Sequence, residues 1–270
     1  MSDRRRDERI SVILTLLSRR GELQVRFLPG TLGVSGATVR RDLAVMEGSG
    51  LVRRSYGKIT AARRGAELPV SLRNTQNTEA KRRIGALASS LIPSRPLVVA
   101  LSGGSTLGFV AKSLAARSDL TVVTNGLDTA TSLMERQLVQ VVVTGGTARS
   151  LSRDLVGKGA EKSLRSYRFD FAIVGADGVC PEAGVTRHSA RGAEIDRIML
   201  GQAERRIVVA DSTKLGQVRQ AKVVDTGSVH TLVTDSHANA AIVAALRGAG
   251  VTTTMVVVPT RPVGGSPWTP

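Results

Sequence analysis

The spacing of apolar residues changes its period along this chain. Ile10, Ile13, Leu14, Leu16 and Leu17 recur at helical intervals after a charged lead-in, and Gly21 supplies a stop, which predicts a first amphipathic helix. A short segment from Val25 to Leu32 leads to Gly33-Val34-Ser35, where the Ser35 side chain can accept backbone N–H bonds as the cap of a third helix running to about Glu47. In that helix Val39, Leu43 and Met46 share one face, so Ala37, Thr38, Arg40 and Arg41 project largely away from the core. Leu51 to Arg54 and Ile59 to Ala61 then flank Ser55-Tyr56-Gly57-Lys58, predicting strand, turn and strand. Three helices followed by such a hairpin make a winged helix-turn-helix.

Residues 62–78 are polar, contain Pro69 and show no clear period, so they are expected to form a linker. Beyond them, β-branched apolar runs at 97–101, 120–124, 139–144, 171–175, 207–211 and 229–234 alternate with helical patterns at 79–92, 106–117, 126–135, 189–204 and 237–249. Strands this apolar, separated by helices, predict an α/β domain with a parallel sheet covered on both faces. The run from Met255 to Val258 is expected to add a last strand, and the Pro- and Gly-bearing segment 259–270 to be disordered. The expected division is therefore a winged helix-turn-helix over 1–61, a linker over 62–78, an α/β domain over 79–258 and a tail over 259–270.

Composition sharpens this picture. Apolar residues are 41% of the chain but aromatics only 3%, so the core must come from Val, Leu, Ile and Ala. No run approaches the roughly 20 apolar residues of a membrane helix, and Arg4, Arg5 and Arg6 precede no apolar signal core. A cytoplasmic protein without a membrane partner is expected. Cys180 is the single cysteine, which excludes an intramolecular disulfide framework and a cysteine-rich zinc site. The net charge of +16 points to a polyanionic partner, nucleic acid first. Residues 1–65 carry fourteen Lys or Arg against six Asp or Glu, so an excess of eight, half of the total, sits in about a quarter of the chain. The basic module is the N-terminal one.

In an open parallel sheet, ligands bind beyond the carboxyl ends of the strands. The first strand ends in Ser102-Gly103-Gly104-Ser105-Thr106 and runs into a helix, offering close backbone approach, hydroxyls and a positive helix N-terminus to a phosphate. Such glycines serve a tight strand-to-helix turn equally well. Four more strand ends, Thr124-Asn125-Gly126, Thr144-Gly145-Gly146, Gly175-Ala176-Asp177-Gly178 and Asp211-Ser212-Thr213-Lys214, bring side chains that structural glycines do not explain, namely Asn125, Asp177, Asp211 and Lys214. A polar small-molecule site is expected there. It is not a dinucleotide site, because Gly103-Gly104 lacks the G-x-G-x-x-G spacing and Asn125 stands where an acidic ribose ligand belongs. His188, His230 and His237 lack metal-ligand spacing with nearby carboxylates, so neither metal nor cofactor is expected.

The segment Val34-Ser35 to Thr38-Val39-Arg40-Arg41-Asp42-Leu43 and Met46-Glu47 resembles the helix-turn-helix signature of DeoR-family repressors. The likeness continues through the glycine-rich loop, Thr124-Asn125, Thr144-Gly145-Gly146, Gly157 to Glu161, Phe169-Asp170, Gly175-Ala176-Asp177-Gly178, Gly184-Val185-Thr186 and Asp211 to Gly216, over roughly residues 6–258. It implies a regulator and not an enzyme, with operator DNA on the N-terminal domain. A phosphorylated sugar or similar effector would bind a C-terminal domain similar to ribose-5-phosphate isomerase and release the DNA. It implies DNA contacts from Ser35, Thr38, Arg40 and Arg41 and from the wing residues Arg53, Arg54 and Lys58. The effector phosphate would lie on Ser102, Gly103, Gly104, Ser105 and Thr106, with Asn125, Gly145, Gly146, Asp177 and Lys214 around the rest of the ligand. A homodimer or homotetramer follows, since helix-turn-helix dimers match half-sites about one helical turn apart.

Three departures stand out. Ser102 replaces the Asp usual in the family; Gly192-Ala193 and then Asp196 replace Glu-Ala and then Lys, reversing a charge near the expected pocket; and Pro29-Gly30 falls inside the second helix, which should start late or kink. The wing turn, commonly His-Gly-Gly, is Tyr56-Gly57-Lys58. Two alternatives stay open here: a constitutive DNA-binding regulator with a decayed effector site, and a sugar-phosphate isomerase using Asp177. The isomerase lacks the further acid and lysine that proton transfer and enediolate stabilisation require, since those loops hold Ser102 and Asp196.

Overall fold

The computed structural model describes residues 2–62 and 67–258, with their side chains except those of 2–4, 18 and 19. The expected tail 259–270 and residues 63–66 of the expected linker lie outside the described residues. Contacts divide the chain after Gln76, with a second unit over Asn77–Val258.

The N-terminal unit runs α1 (Ser2–Arg20), β1 (Glu22–Gln24), α2 (Leu28–Leu32), α3 (Gly36–Gly48), β2 (Val52–Ser55), β3 (Lys58–Ala61) and α4 (Val70–Thr75). Gly21 turns the chain out of α1 at φ 77, its N–H bonded to the Leu17 carbonyl. Pro29 sits in the first turn of α2, where its missing N–H breaks no helical bond, and a 3-10 turn over Val25–Phe27 precedes it. The helix therefore starts late and stays short, ending at Gly33 in the left-handed region. Ser35 caps α3 by accepting the Thr38 N–H. Ile13, Leu28, Leu43, Met46 and Ile59 are buried together from five elements.

Two features were not foreseen. β1 pairs antiparallel with β3, making a three-stranded sheet, and the stretch expected as linker contains α4, which packs on α1 and buries Leu72 in the same core. A charged contact also ties the first helix to the third. Arg9 Nε and Nη2 donate to the two carboxylate oxygens of buried Asp42 at 2.6 and 3.0 Å. This hydrogen bonding raises the Arg9 pKa against the opposing effect of burial.

The second unit runs α5 (Thr78–Ser90), β4 (Leu97–Leu101), α6 (Ser105–Leu114), β5 (Leu120–Thr124), α7 (Leu127–Met134), β6 (Gln140–Val143), β7 (Thr147–Ala148), β8 (Leu155–Val156), α8 (Lys158–Arg165), β9 (Phe169–Gly175), β10 (Gly178–Cys180), β11 (Gly184–Arg187), α9 (Ala190–Gly201), β12 (Ala203–Val209), β13 (Ala221–Val224), β14 (Thr231–Asp235), α10 (Ala240–Gly248) and β15 (Thr252–Val256). Seven strands form one sheet in the order β15-β14-β12-β9-β4-β5-β6, every neighbouring pair parallel. Side chains alternate across it. Ala172 and Val174 of β9 join a core with α8, α9 and α10, while Ile173 between them joins another with α5, α6 and α7. The apolar runs were thus double-faced strands, as their lack of polar alternation required. The small antiparallel sheet β10-β11-β13, the pair β7-β8 and helix α8 had no counterpart in the sequence reading. Among the described residues no helix is long and apolar enough to cross a membrane.

Asp42→Ala leaves the Arg9 guanidinium without its carboxylate, and should lower the stability of the N-terminal unit by about 2–3 kcal/mol. Urea denaturation of the full chain measures this; a loss below about 1 kcal/mol would reduce the pair to a surface contact.

Candidate functional sites

Strand order reverses between β4 and β9: β4 continues through α6 to β5 on one side, while β9 leads to β12 on the other. A crevice forms at such a point beyond the carboxyl ends of the strands. Ser102 follows β4 at this point, fully buried, its N–H on the Ile173 carbonyl at 3.1 Å and its Oγ accepting the Gly175 N–H at 3.4 Å. Gly103 is glycine for want of room, since a Cβ there would lie 1.7 Å from Asp154 Oδ1. One on Gly126 would lie 2.7 Å from the Gly103 Cα. Gly104, at φ 132, opens α6, and Ser105 and Thr106 form its buried first turn with backbone N–H groups to spare.

The end of β5 meets the start of β8, Gly126 pairing with Asp154 and Asn125 with Leu155. Asn125 Nδ2 donates to the Leu155 carbonyl at 3.0 Å, and Leu155 N–H donates to the Asn125 carbonyl at 2.7 Å. The Asn125 Oδ1 is buried and accepts no hydrogen bond. Asp177 follows β9, its Oδ2 accepting the His188 N–H at 3.1 Å.

The charge at this point comes from outside the large sheet. Arg187, at the end of β11, is 7% exposed and donates through Nε to Asp196 Oδ2 of α9 at 2.5 Å. Burial works to lower the Arg187 pKa, but Asp196, with Asp177 and Asp154 behind it, outweighs burial and raises it. Burial also drives the Asp196 pKa up, opposed by Arg187 and by the Ser102 hydroxyl. Asp196 Oδ1 is buried without a hydrogen-bond partner. The reversed charge expected to face the pocket is therefore half of an internal ion pair.

The structure brings Ser102, Gly103, Gly104, Ser105, Thr106, Asn125 and Asp177 to this switch point. Gly145 and Gly146 are exposed, and a Cβ on Gly146 would press on the Val156 carbonyl and Ala160, so this loop is shaped by close passage over the start of α8. Lys214 is half-buried in a 3-10 turn whose continuation follows β10, Gly216 N–H bonding to the Val179 carbonyl at 2.8 Å. Asp211 caps that turn and accepts from Asn77 Nδ2 at 3.1 Å, a structural task. Asp154, Arg187 and buried Lys81 of α5 were not singled out by sequence reasoning. Only Lys81 left a signal, a charge among the apolar positions of its helix.

In the N-terminal unit Arg40 and Arg41 are exposed on α3. Ser35 and Thr38 are engaged with each other, Oγ to Oγ1 at 3.0 Å. On the wing, Arg53 pairs with Thr60 and Arg54 with buried Ile59, so the two arginines take opposite faces. Lys58 shares the Arg53 face, where Glu22 Oε1 accepts from its Nζ at 2.7 Å.

A winged helix-turn-helix joined to an α/β unit with a polar switch-point crevice defines a DNA-binding regulator with a sensor domain. Residues 9–64 match the DeoR-like helix-turn-helix domain, and residues 76–236 the DeoR C terminal sensor domain. The provisional aga operon transcriptional repressor of Escherichia coli O157:H7 is 34% identical over 92% of this chain and 93% of its own. The HTH-type transcriptional regulator GlpR of Haloferax volcanii is 31% identical over 91% and 96%, and the repressor GlcR of Bacillus subtilis 30% over 87% and 90%. The chain belongs to the DeoR family of transcriptional regulators. A ribose 5-phosphate isomerase of Methanocaldococcus jannaschii overlaps 52% of this chain and 55% of its own, with TM-score 0.40 and 18% identity, a likeness at which chemistry does not transfer.

Arg187→Met leaves Asp196 as an unpaired buried charge and should destabilise the sensor unit by about 3–5 kcal/mol, most of it regained on adding Asp196→Leu. Denaturant titration of both variants tests this; a double variant no better than the single would mean that the pair itself stabilises the fold.

Proposed function

We propose that this chain is a cytoplasmic repressor whose grip on operator DNA is released by a phosphorylated sugar or a related metabolite, and that it catalyses no reaction. The observation that carries the effector reading is the pairing, at one switch point, of a glycine-opened helix N-terminus with a buried acceptor lacking a donor, Asn125 Oδ1. A phosphate fits the N–H groups of α6, and a hydroxyl is the donor that the orphaned Asn125 oxygen lacks. In this reading Gly103 to Thr106 take the phosphate, with Ser102 as their support. Asn125 and Asp177 take the hydroxylated end, and Lys214, Gly145 and Gly146 lie at the margin.

Arg40 and Arg41 contact DNA from α3, with Arg53, Arg54 and Lys58 on the wing, and Ser35 and Thr38 contribute through the cap that sets the start of α3. A homodimer or homotetramer supplies the two recognition helices. An Arg on a guanine edge contributes about 1–3 kcal/mol of discrimination, whereas one on a phosphate mainly adds salt-dependent affinity.

Fluorescence anisotropy of the purified protein on the DNA upstream of its own gene, at fixed salt, tests the reading. Unrelated DNA serves as competitor and a panel of phosphorylated sugars as effectors. Specific binding relieved by one of them is expected, and Thr106→Ala should weaken that relief while leaving effector-free binding intact. Specific binding indifferent to the whole panel would favour a constitutive regulator in which the Arg187–Asp196 pair has closed the site. Equal relief of variant and wild type would remove α6 from the effector site.

A further inference from the structure

The N-terminal unit keeps its aromatic side chains out of its core. Phe27 and Tyr56 are the only aromatics in residues 1–76, and they are 59% and 103% exposed. The backbone brings them to one place. Val25 N–H donates to the Gly57 carbonyl at 2.9 Å, so the turn that carries Arg26 and Phe27 lies against the turn that carries Tyr56. The Arg26 guanidinium stands 4.8 Å over the Phe27 ring, and Arg54 and Lys58 flank the hairpin turn.

Neither ring serves the fold. Tyr56 and Gly57 are the two central residues of a two-residue hairpin with φ 45 and φ 74, a turn that Asn-Gly fills without strain and a bulky side chain does not. An aromatic ring there gains no burial and adds backbone strain, so the turn geometry does not account for it. A ring under a guanidinium, and a second exposed ring on the adjoining hairpin turn of a basic wing, suit a partner with flat or sugar surfaces and negative charge, which is nucleic acid. Phe27 also stands at the N-terminus of α2, the first helix of the motif, which in such motifs crosses the DNA backbone.

We infer that Phe27 and Tyr56 are further DNA contacts, two uncharged side chains that extend the wing's contact surface beyond its arginines and lysine. Tyr56 enters the minor groove next to the base pairs facing α3, and Phe27 with Arg26 packs on the adjoining sugar-phosphate backbone. This rests on the DNA-binding reading of the N-terminal unit, and extends it to flanking sequence and to side chains that carry no charge.

The test uses the full chain as wild type, Tyr56→Ala, Tyr56→Phe, Tyr56→Asn and Phe27→Ala. Each is titrated onto the upstream duplex and onto the same duplex trimmed to the base pairs facing α3, with oligomer mass followed by light scattering. Tyr56→Ala, Tyr56→Asn and Phe27→Ala should each bind the long duplex about 5- to 50-fold more weakly, Tyr56→Phe should stay within about twofold of wild type, and the differences should vanish on the trimmed duplex. Wild-type affinity in Tyr56→Asn would assign the tyrosine's effect to the turn and overturn the inference, as would equal losses on both duplexes. A change of oligomer mass in the variants would overturn it too, placing the rings against a second copy. If the wild type shows no specific binding, the regulator reading itself fails and takes this surface with it.

Discussion

A guanidinium sunk among carboxylates governs the sensor unit. Water normally solvates an arginine, and at the depth of Arg187 the carboxylate of Asp196, backed by Asp177 and Asp154, stands in for that water. The pair fixes the end of β11 to α9, two elements of different layers, and sets where the loop after β9 can run, because Asp177 is anchored by the His188 N–H one residue on. Removal of either charge leaves the other desolvated. The same coupling keeps β10, β11 and β13 seated at the strand ends, although short strands of this kind have little cohesion of their own.

Those charges sit where they do because the large sheet leaves no other place at this end. With both faces covered, the carboxyl halves of β4, β5, β9 and β12 hold almost nothing but Val, Ile, Leu and Ala, while Asp170, Glu204, Arg205 and Arg206 lie toward the opposite, amino ends of β9 and β12. At the carboxyl end polar side chains enter at or past the last residue of each strand, and there the backbones crowd. Gly103 and Gly126 approach so closely that neither could carry a methyl group without displacing Asp154 or its neighbour. The close approach of these loops and the burial of Ser102, Asn125 and Asp154 are one packing event.

The parts legible in the sequence were those with a local period. Ile10 to Leu17, the double-faced strands and the Ser35 cap each carry their signal within a few residues, and Pro29 correctly announced a helix that starts late. The wing showed as strand, turn and strand, but β1 did not, because three residues are too few to display alternation. Helix α8 escaped because Lys158, Glu161, Lys162 and Arg165 leave it only a narrow apolar stripe. The candidate site was half legible for a similar reason. Strand-end residues such as Ser102, Asn125 and Asp177 are found by reading each strand to its end. Arg187 and Asp154 matter only through partners that folding brings to them, and no spacing encodes that. Gly146 is constrained in the same unseen way, since a Cβ there would press on Val156 and Ala160 at the start of α8.

The two units handle anions in opposite ways, and this bears on what each can recognise. The N-terminal unit offers exposed arginines such as Arg40 and Arg41 in water, where attraction is long-ranged, tolerant of geometry and weakened by salt. The sensor unit has instead committed Arg187 to a carboxylate, and in the proposed effector site the positive potential comes mainly from the backbone N–H groups that open α6, with Lys214 at the margin. A helix N-terminus carries about half a unit charge, enough for one phosphate. The carboxylates of Asp154 and Asp177 oppose a second anion and accept from hydroxyls. In the effector reading proposed above, a molecule with one anionic end and a hydroxylated body suits both kinds of group, whereas a doubly phosphorylated one would set its second charge against those carboxylates.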